Sequence, residues 1–157
     1  MTSPMTLAQF LSGPAGEATS GADAPVLGSL PVDDREFSGV RYRVPDDYRV
    51  RELRGTRMTT TAGVFDEFAA AFQFPYYFGE NKDAFDESLR DLDDFVGRGR
   101  GYVVVVRDAD RLLADQPEQR KWFAEAMRDA AAYWSVRDTV FRVVLQGAAV
   151  DAVPLTL

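Results

Sequence analysis

Apolar positions along this chain switch between two periods, and each period predicts its own kind of element. Val64, Phe65, Phe68 and Phe72 share one side of a helix that Thr60 or Thr61 can cap. Phe85, Leu89 and Leu92, at spacings of four and three, mark the inner face of a second helix from about Asn81 to Asp94. A third helix starts near Asp115, where Asp115 and Glu118 have capping-box spacing around Pro117. It runs to about Tyr133 and turns Trp122, Phe123, Ala126, Met127 and Ala130 inward. Three segments read as strands instead. Tyr42, Val44 and Tyr48 to Leu53 alternate bulky with charged residues. Tyr102 followed by four valines suits a strand buried on both faces of a parallel sheet, and Val140 to Leu145 gives the last strand. Strands separated by helices predict an α/β fold with a small parallel sheet.

A length of 157 residues suits one domain with a real core. Residues 1–40 are rich in Gly, Pro, Ser, Ala and Thr with weak periodicity, so they read as a flexible or loosely docked N-terminal extension. Residues 41–150 then form the domain, and residues 151–157 a C-terminal tail. A net charge of −7 argues against nucleic acid as a direct ligand and favours a basic protein partner. With no cysteine, disulfides and thiolate metal sites are impossible. The absence of histidine removes the commonest general base as well.

The segment Phe74 to Leu89 carries the candidate chemistry. From Gly79 to Asp94 there are seven acidic side chains against Lys82 and Arg90. Asp83, Glu87 and Asp91 fall at spacing four, with Asp86, Asp93 and Asp94 close by. Like charges at that spacing destabilise an isolated helix by about a few tenths of a kcal/mol per pair. A stripe that works against its own helix is a candidate for recognising something basic. A solvated outer face is the alternative. In front of the helix, Pro75 restricts the backbone, Gly79 permits a tight or positive-φ turn, and Asn81 is a good cap. Tyr76, Tyr77 and Phe78 crowd three aromatics into that loop, and one of them exposed beside the acidic face would make a binding anchor.

Pro75, Tyr77, Gly79, Asn81, Asp83, Ala84, Phe85 and Glu87 closely resemble the signature of the barstar family, intracellular protein inhibitors of secreted ribonucleases. The resemblance extends from about Tyr48 to Gln146. It implies three parallel strands packed with helices, a single domain, and no enzymatic activity. It also implies a partner, a basic secreted or toxin-type ribonuclease, met by a chain that is monomeric when free. Asp83, Asp86 and Glu87 would stand in for RNA phosphates in the nuclease cleft, with Tyr77 as the aromatic anchor and Gly79 and Asn81 shaping the loop. An acidic residue late in the helix before the last strand joins the binding surface in such proteins. Asp129 matches it by counting from Met127, although the connection from Ala131 to Asp138 is longer here, and a solvated aspartate is the other reading. Phe78 replaces the second family tyrosine, Glu87 replaces an aspartate, and Asp86 stands where the best-known member has a tryptophan. These departures favour a retuned partner. An immunity protein for a non-ribonuclease toxin, or a protein-binding regulatory module on the same fold, is therefore the alternative function.

The remaining motifs point to no cofactor and no metal. Gly97-Arg98-Gly99-Arg100-Gly101 follows a helix and opens a strand, the reverse of a phosphate loop, so it reads as a flexible connection. Asp108 and Asp110 sit after a strand, where α/β sites form, but a turn with local ion pairs explains them. Trp122 reads as core and Trp134 as partly exposed near a helix end. Met1 to about Asp23 lacks a basic n-region, and Leu7 to Leu11 is too short for a signal peptide's apolar stretch. No apolar run approaches the roughly 20 residues that cross a bilayer. The expected location is the cytoplasm, with no membrane association.

Overall fold

In the structure, a computed structural model, residues 5–12, 25–75, 78–147, 149 and 151–157 are described. Strand β1 (Met5–Thr6) leads into helix α1 (Leu7–Leu11), and β2 (Leu27–Leu30) into α2 (Asp34–Phe37). Then come β3 (Tyr48–Arg54) and three helices, α3 (Thr61–Phe72), α4 (Lys82–Leu89) and α5 (Leu92–Val96). The chain finishes with β4 (Gly101–Arg107), α6 (Arg120–Ser135), β5 (Val140–Gln146) and β6 (Val153–Thr156).

The α/β class holds, but the expected three-stranded sheet does not. All strands join one six-stranded sheet in the order β1-β6-β2-β5-β4-β3, and every pairing is parallel. The three strands read from the sequence are β3, β4 and β5. Those added are β1 and β2, from the segment expected to be an extension, and β6, from the expected tail. Leu27-Gly28-Ser29-Leu30 has loop-like composition, yet all four residues are buried. Gly28 is there because a Cβ would meet the Leu155 side chain and the Phe10 ring. A glycine that lets two side chains close over a strand looks, in sequence, like a glycine that breaks one.

Side chains alternate across the sheet into two cores. Val104 and Val106 face α3 to α6 together with Phe65, Phe68, Phe85, Phe123 and Trp134. Val103 and Val105 face the other way, onto Leu7, Phe10 and Leu11 of α1 and onto Phe37 and Val40. The α6 start also differs from expectation. Pro117–Gln119 form a 3-10 turn ahead of Arg120. The Asp115–Glu118 box is replaced by tertiary bonds, with the Asp115 N–H donating to Thr59 O at 3.0 Å.

Candidate functional site

Helix α4 is anchored from inside and dressed from outside. Thr60 caps α3 by accepting from the Gly63 N–H, which sets Phe65 and Phe68 against Phe85 at ring separations of 5.5 and 5.0 Å. Phe85 and Leu89 are buried and fix which way α4 faces. Asn81 is the N-cap, its Oδ1 accepting from the Ala84 N–H at 2.8 Å. The left-handed residue of the approach is Glu80, at φ 50, rather than Gly79. Gly79 serves a different need: a Cβ there would come within 3.0 Å of the Asn81 amide nitrogen and crowd the cap. Phe78 is half-buried and packs edge-on against Phe65 and Phe74, so it belongs to the core.

The single acidic helix expected from Asn81 to Asp94 is two helices. At Arg90 and Asp91 the N–H groups bond to Glu87 O and Ser88 O, three residues back, which tightens the turn and ends α4. Leu92 is nevertheless buried. The acidic row continues across the break, because Glu87 together with Asp93 and Asp94 acts on Asp91. Asp91 is raised above the ordinary carboxyl value of 3.8, first by burial and then by these neighbours, with Arg90 opposing.

A second helix contributes to the same face. Trp122, Ala126 and Asp129 of α6 recur at spacings of four and three, so they form one stripe. Trp122 packs on the Phe85 ring at 5.6 Å, and the far end of the stripe brings Asp129 towards Asp86. Half-buried Asp86 is raised above 3.8, mainly by loss of solvent; Arg90 works against that shift, while Asp129 and Asp83 add to it. Asp83, Glu87 and Asp129 are exposed. Among the described residues, none of Asp83, Asp86, Glu87 and Asp129 forms an ion pair. Lys82 does not neutralise the face: its Nζ donates to Gln119 Oε1 at 2.7 Å and sits 5.0 Å from the centre of the Trp122 ring.

The structure thus brings Asp83, Asp86, Glu87 and Asp129 to one surface, with Asn81 and Gly79 at its rim. Tyr77, the expected aromatic anchor, lies outside the described residues. The tryptophans exchange the roles expected of them. Trp134 is buried and donates to Leu89 O at 2.8 Å, while Trp122 is half-buried at the α4–α6 seam. Lys82 at that seam went unread in the sequence, where nothing pairs it with Trp122. Asp108 adopts φ 52 at the head of a 3-10 turn, its N–H held by Gln146 at 2.8 Å. Among the described residues no group of three acidic side chains is placed to hold a metal ion, and no helix is long and apolar enough to cross a membrane.

Fold and site together define a class: an α/β protein that presents carboxylates from two helices on one surface. The family model described as Barstar (barnase inhibitor) matches residues 48–146, and the chain belongs to that family. Its members are protein inhibitors, not enzymes. The match begins at the first residue of β3 and ends at the last of β5, so β1, β2 and β6 extend the sheet beyond the matched region. No curated protein matches the chain.

Proposed function

We propose that this chain is a stoichiometric inhibitor that plugs the active site of a basic ribonuclease inside the cell. A ribonuclease cleft must bind phosphates, so it is lined with cations. Carboxylates held on two packed helices can occupy those positions with no bond to cleave, and little conformational freedom is lost on docking. In this reading Asp83, Asp86 and Glu87 are the phosphate mimics, Asp129 widens the charged face, and Tyr77 is the anchor. The approach of Asp129 to Asp86 carries the proposal. Carboxylates from different helices raise one another's cost in the free protein, and a cationic cleft turns that cost into attraction.

Family membership supports a ribonuclease as the target class. Asp86 in place of the family's tryptophan favours a second reading, an immunity protein retuned to another basic toxin. Titrating purified chain into a basic secreted ribonuclease tests the first. Activity should fall linearly to zero at equimolar protein. A nuclease that stays fully active at saturating chain overturns it, and affinity capture with the chain as bait then identifies whether a basic non-nuclease toxin binds instead.

A further inference from the structure

The amino-terminal edge of the sheet carries Arg49, Arg98 and Arg100, the last paired with Asp47 at 3.5 Å. Gly97-Arg98-Gly99-Arg100-Gly101 is packed there rather than loose. The Arg100 N–H donates to Asp47 O at 2.9 Å, and a Cβ at Gly101 would collide with the Tyr48 ring. A cleft of about 390 Å³ opens beside it, lined by Asp93, Arg98, Gly99, Tyr102, Trp134, Arg137 and Thr139.

Its charges are arranged for an anion. Arg98 and Arg137 are both exposed, and among the described residues neither forms an ion pair. Arg137 is nonetheless held in place. Its guanidinium lies 3.6 Å from the centre of the Tyr133 ring, and Nη1 donates to Tyr133 O at 2.9 Å. Among the described residues its other side-chain donors have no partner. Arg49 stands behind Arg98, donating through Nε to Arg98 O at 3.1 Å. Arg49 and Arg98 both act on the Tyr102 hydroxyl, which burial and then Asp93 push up to about 12 against them.

The carbonyl end of α6 would repel an anion, but it is covered. Trp134 O accepts from the Arg137 and Thr139 N–H groups at 2.8 and 3.0 Å, and Tyr133 O from Arg137. Opposing charge comes from Asp93 alone among the lining residues. A carboxylate there suits a hydroxyl or ring N–H on the organic part of a ligand. The volume falls at the low end of small-molecule sites, roughly 300–1,000 Å³, and exceeds what a bare phosphate fills.

We propose that this cleft is a phosphate-binding site for a small phosphomonoester, with Arg98 and Arg137 on the phosphate and Asp93 on a hydroxyl of the attached group. Paired guanidinium groups grip phosphate with two donors each, which is stronger and more directional than single contacts. The site borders the far end of the acidic row at Asp93, and the proposal does not depend on the inhibitor reading.

Titrating the full chain by calorimetry with adenosine 5′-monophosphate, adenosine and inorganic phosphate at fixed ionic strength tests it, with Trp134 fluorescence as a second readout. The nucleotide should bind with a dissociation constant below about 1 mM, and adenosine at least about tenfold more weakly. The Arg98→Ala chain, whose circular dichroism should match the parent's because among the described residues that side chain makes no hydrogen bond or ion pair, should lose about tenfold in affinity. Binding of the nucleotide well above inorganic phosphate assigns the site to phosphomonoesters, and equal binding assigns it to free phosphate. Absence of binding by both, adenosine binding as tightly as the nucleotide, or an unchanged Arg98→Ala affinity overturns the proposal.

Discussion

Arg142, buried in the middle of β5, donates through Nε to the carbonyl of Phe10, 132 residues earlier, at 3.2 Å. Its Nη1 donates to Phe141 O at 3.0 Å, and burial lowers its pKa from the usual guanidinium value, with Tyr48 opposing that shift. The Tyr48 hydroxyl in turn donates to Leu11 O at 2.9 Å. The buried cation is thus met by one oxygen from the last turn of α1, Phe10 O, and one from β5 itself, Phe141 O. Helix α1 is tied into the sheet by polar bonds as well as by its apolar face.

The first prediction follows from that tie. Phe10 is 1% exposed, so Phe10→Ala should cost about 3–5 kcal/mol, as buried phenylalanines do. Urea unfolding of the purified chain measures it. An unchanged midpoint would mean that α1 is not docked in solution and that the two-sided sheet is wrong.

Much of the central fold was legible because it obeys simple periods. Tyr102 to Val106 read as a fully buried strand and is one. Phe85, Leu89 and Leu92 read as one apolar face, and they remain on it even though the helix breaks between them. What failed to show were elements whose signal is tertiary. Gly28 and Ser29 look like a loop until Leu155 and Phe10 are seen closing over them. Strands β1 and β6, of two and four residues, are too short to display alternation. Within the site, the spacing of acidic residues was visible on α4. The meeting of Asp129 with Asp86 depends on how α6 crosses α4, and the sequence offered it only through a family resemblance.

The burial of Asp86, with Asp129 and Asp83 adding to its effect, has a pH signature. Asp86 is raised above 3.8, so the folded chain holds that proton more tightly than the unfolded one. Its contribution to stability then falls as pH rises from the ordinary aspartate value through the raised one. Asp86→Asn should raise stability at neutral pH by about a few tenths of a kcal/mol, the scale of solvent-screened like charges. The gain should vanish at pH values below 3.8. Thermal melts of parent and variant across the acidic range check this, and a gain that persists in acid would assign the effect to something other than charge.

Lys82 should act with opposite signs on stability and on association. Its ammonium over Trp122 and its bond to Gln119 join α4 to α6, so Lys82→Ala should cost about 0.5–1 kcal/mol. The same change makes the carboxylate surface more negative. Association with a basic partner at low salt should therefore quicken, and the gain should shrink as salt screens it. Stopped-flow association rates across a salt series separate the two effects, and a slower rate at low salt would contradict the placement of Lys82 beside the face.

The sharpest test removes Asp83 and Glu87 together. They lie one turn apart on the exposed side of α4, away from buried Phe85 and Leu89. Their mutual repulsion destabilises α4, while Asp83 in its first turn is favoured by the positive end of the helix dipole. These small effects oppose each other, so Asp83→Ala with Glu87→Ala should leave stability within about 0.5 kcal/mol of the parent. Binding should behave differently. Stripping charges from one side of a desolvated interface leaves the partner's cations unpaired, at about 2–5 kcal/mol per buried pair, a scale drawn in part from the barnase–barstar complex itself. Calorimetry against a basic ribonuclease, beside urea unfolding of the free variant, reads both quantities. A double variant that is as stable as the parent and binds as tightly would show that the carboxylate row is only a solvated surface.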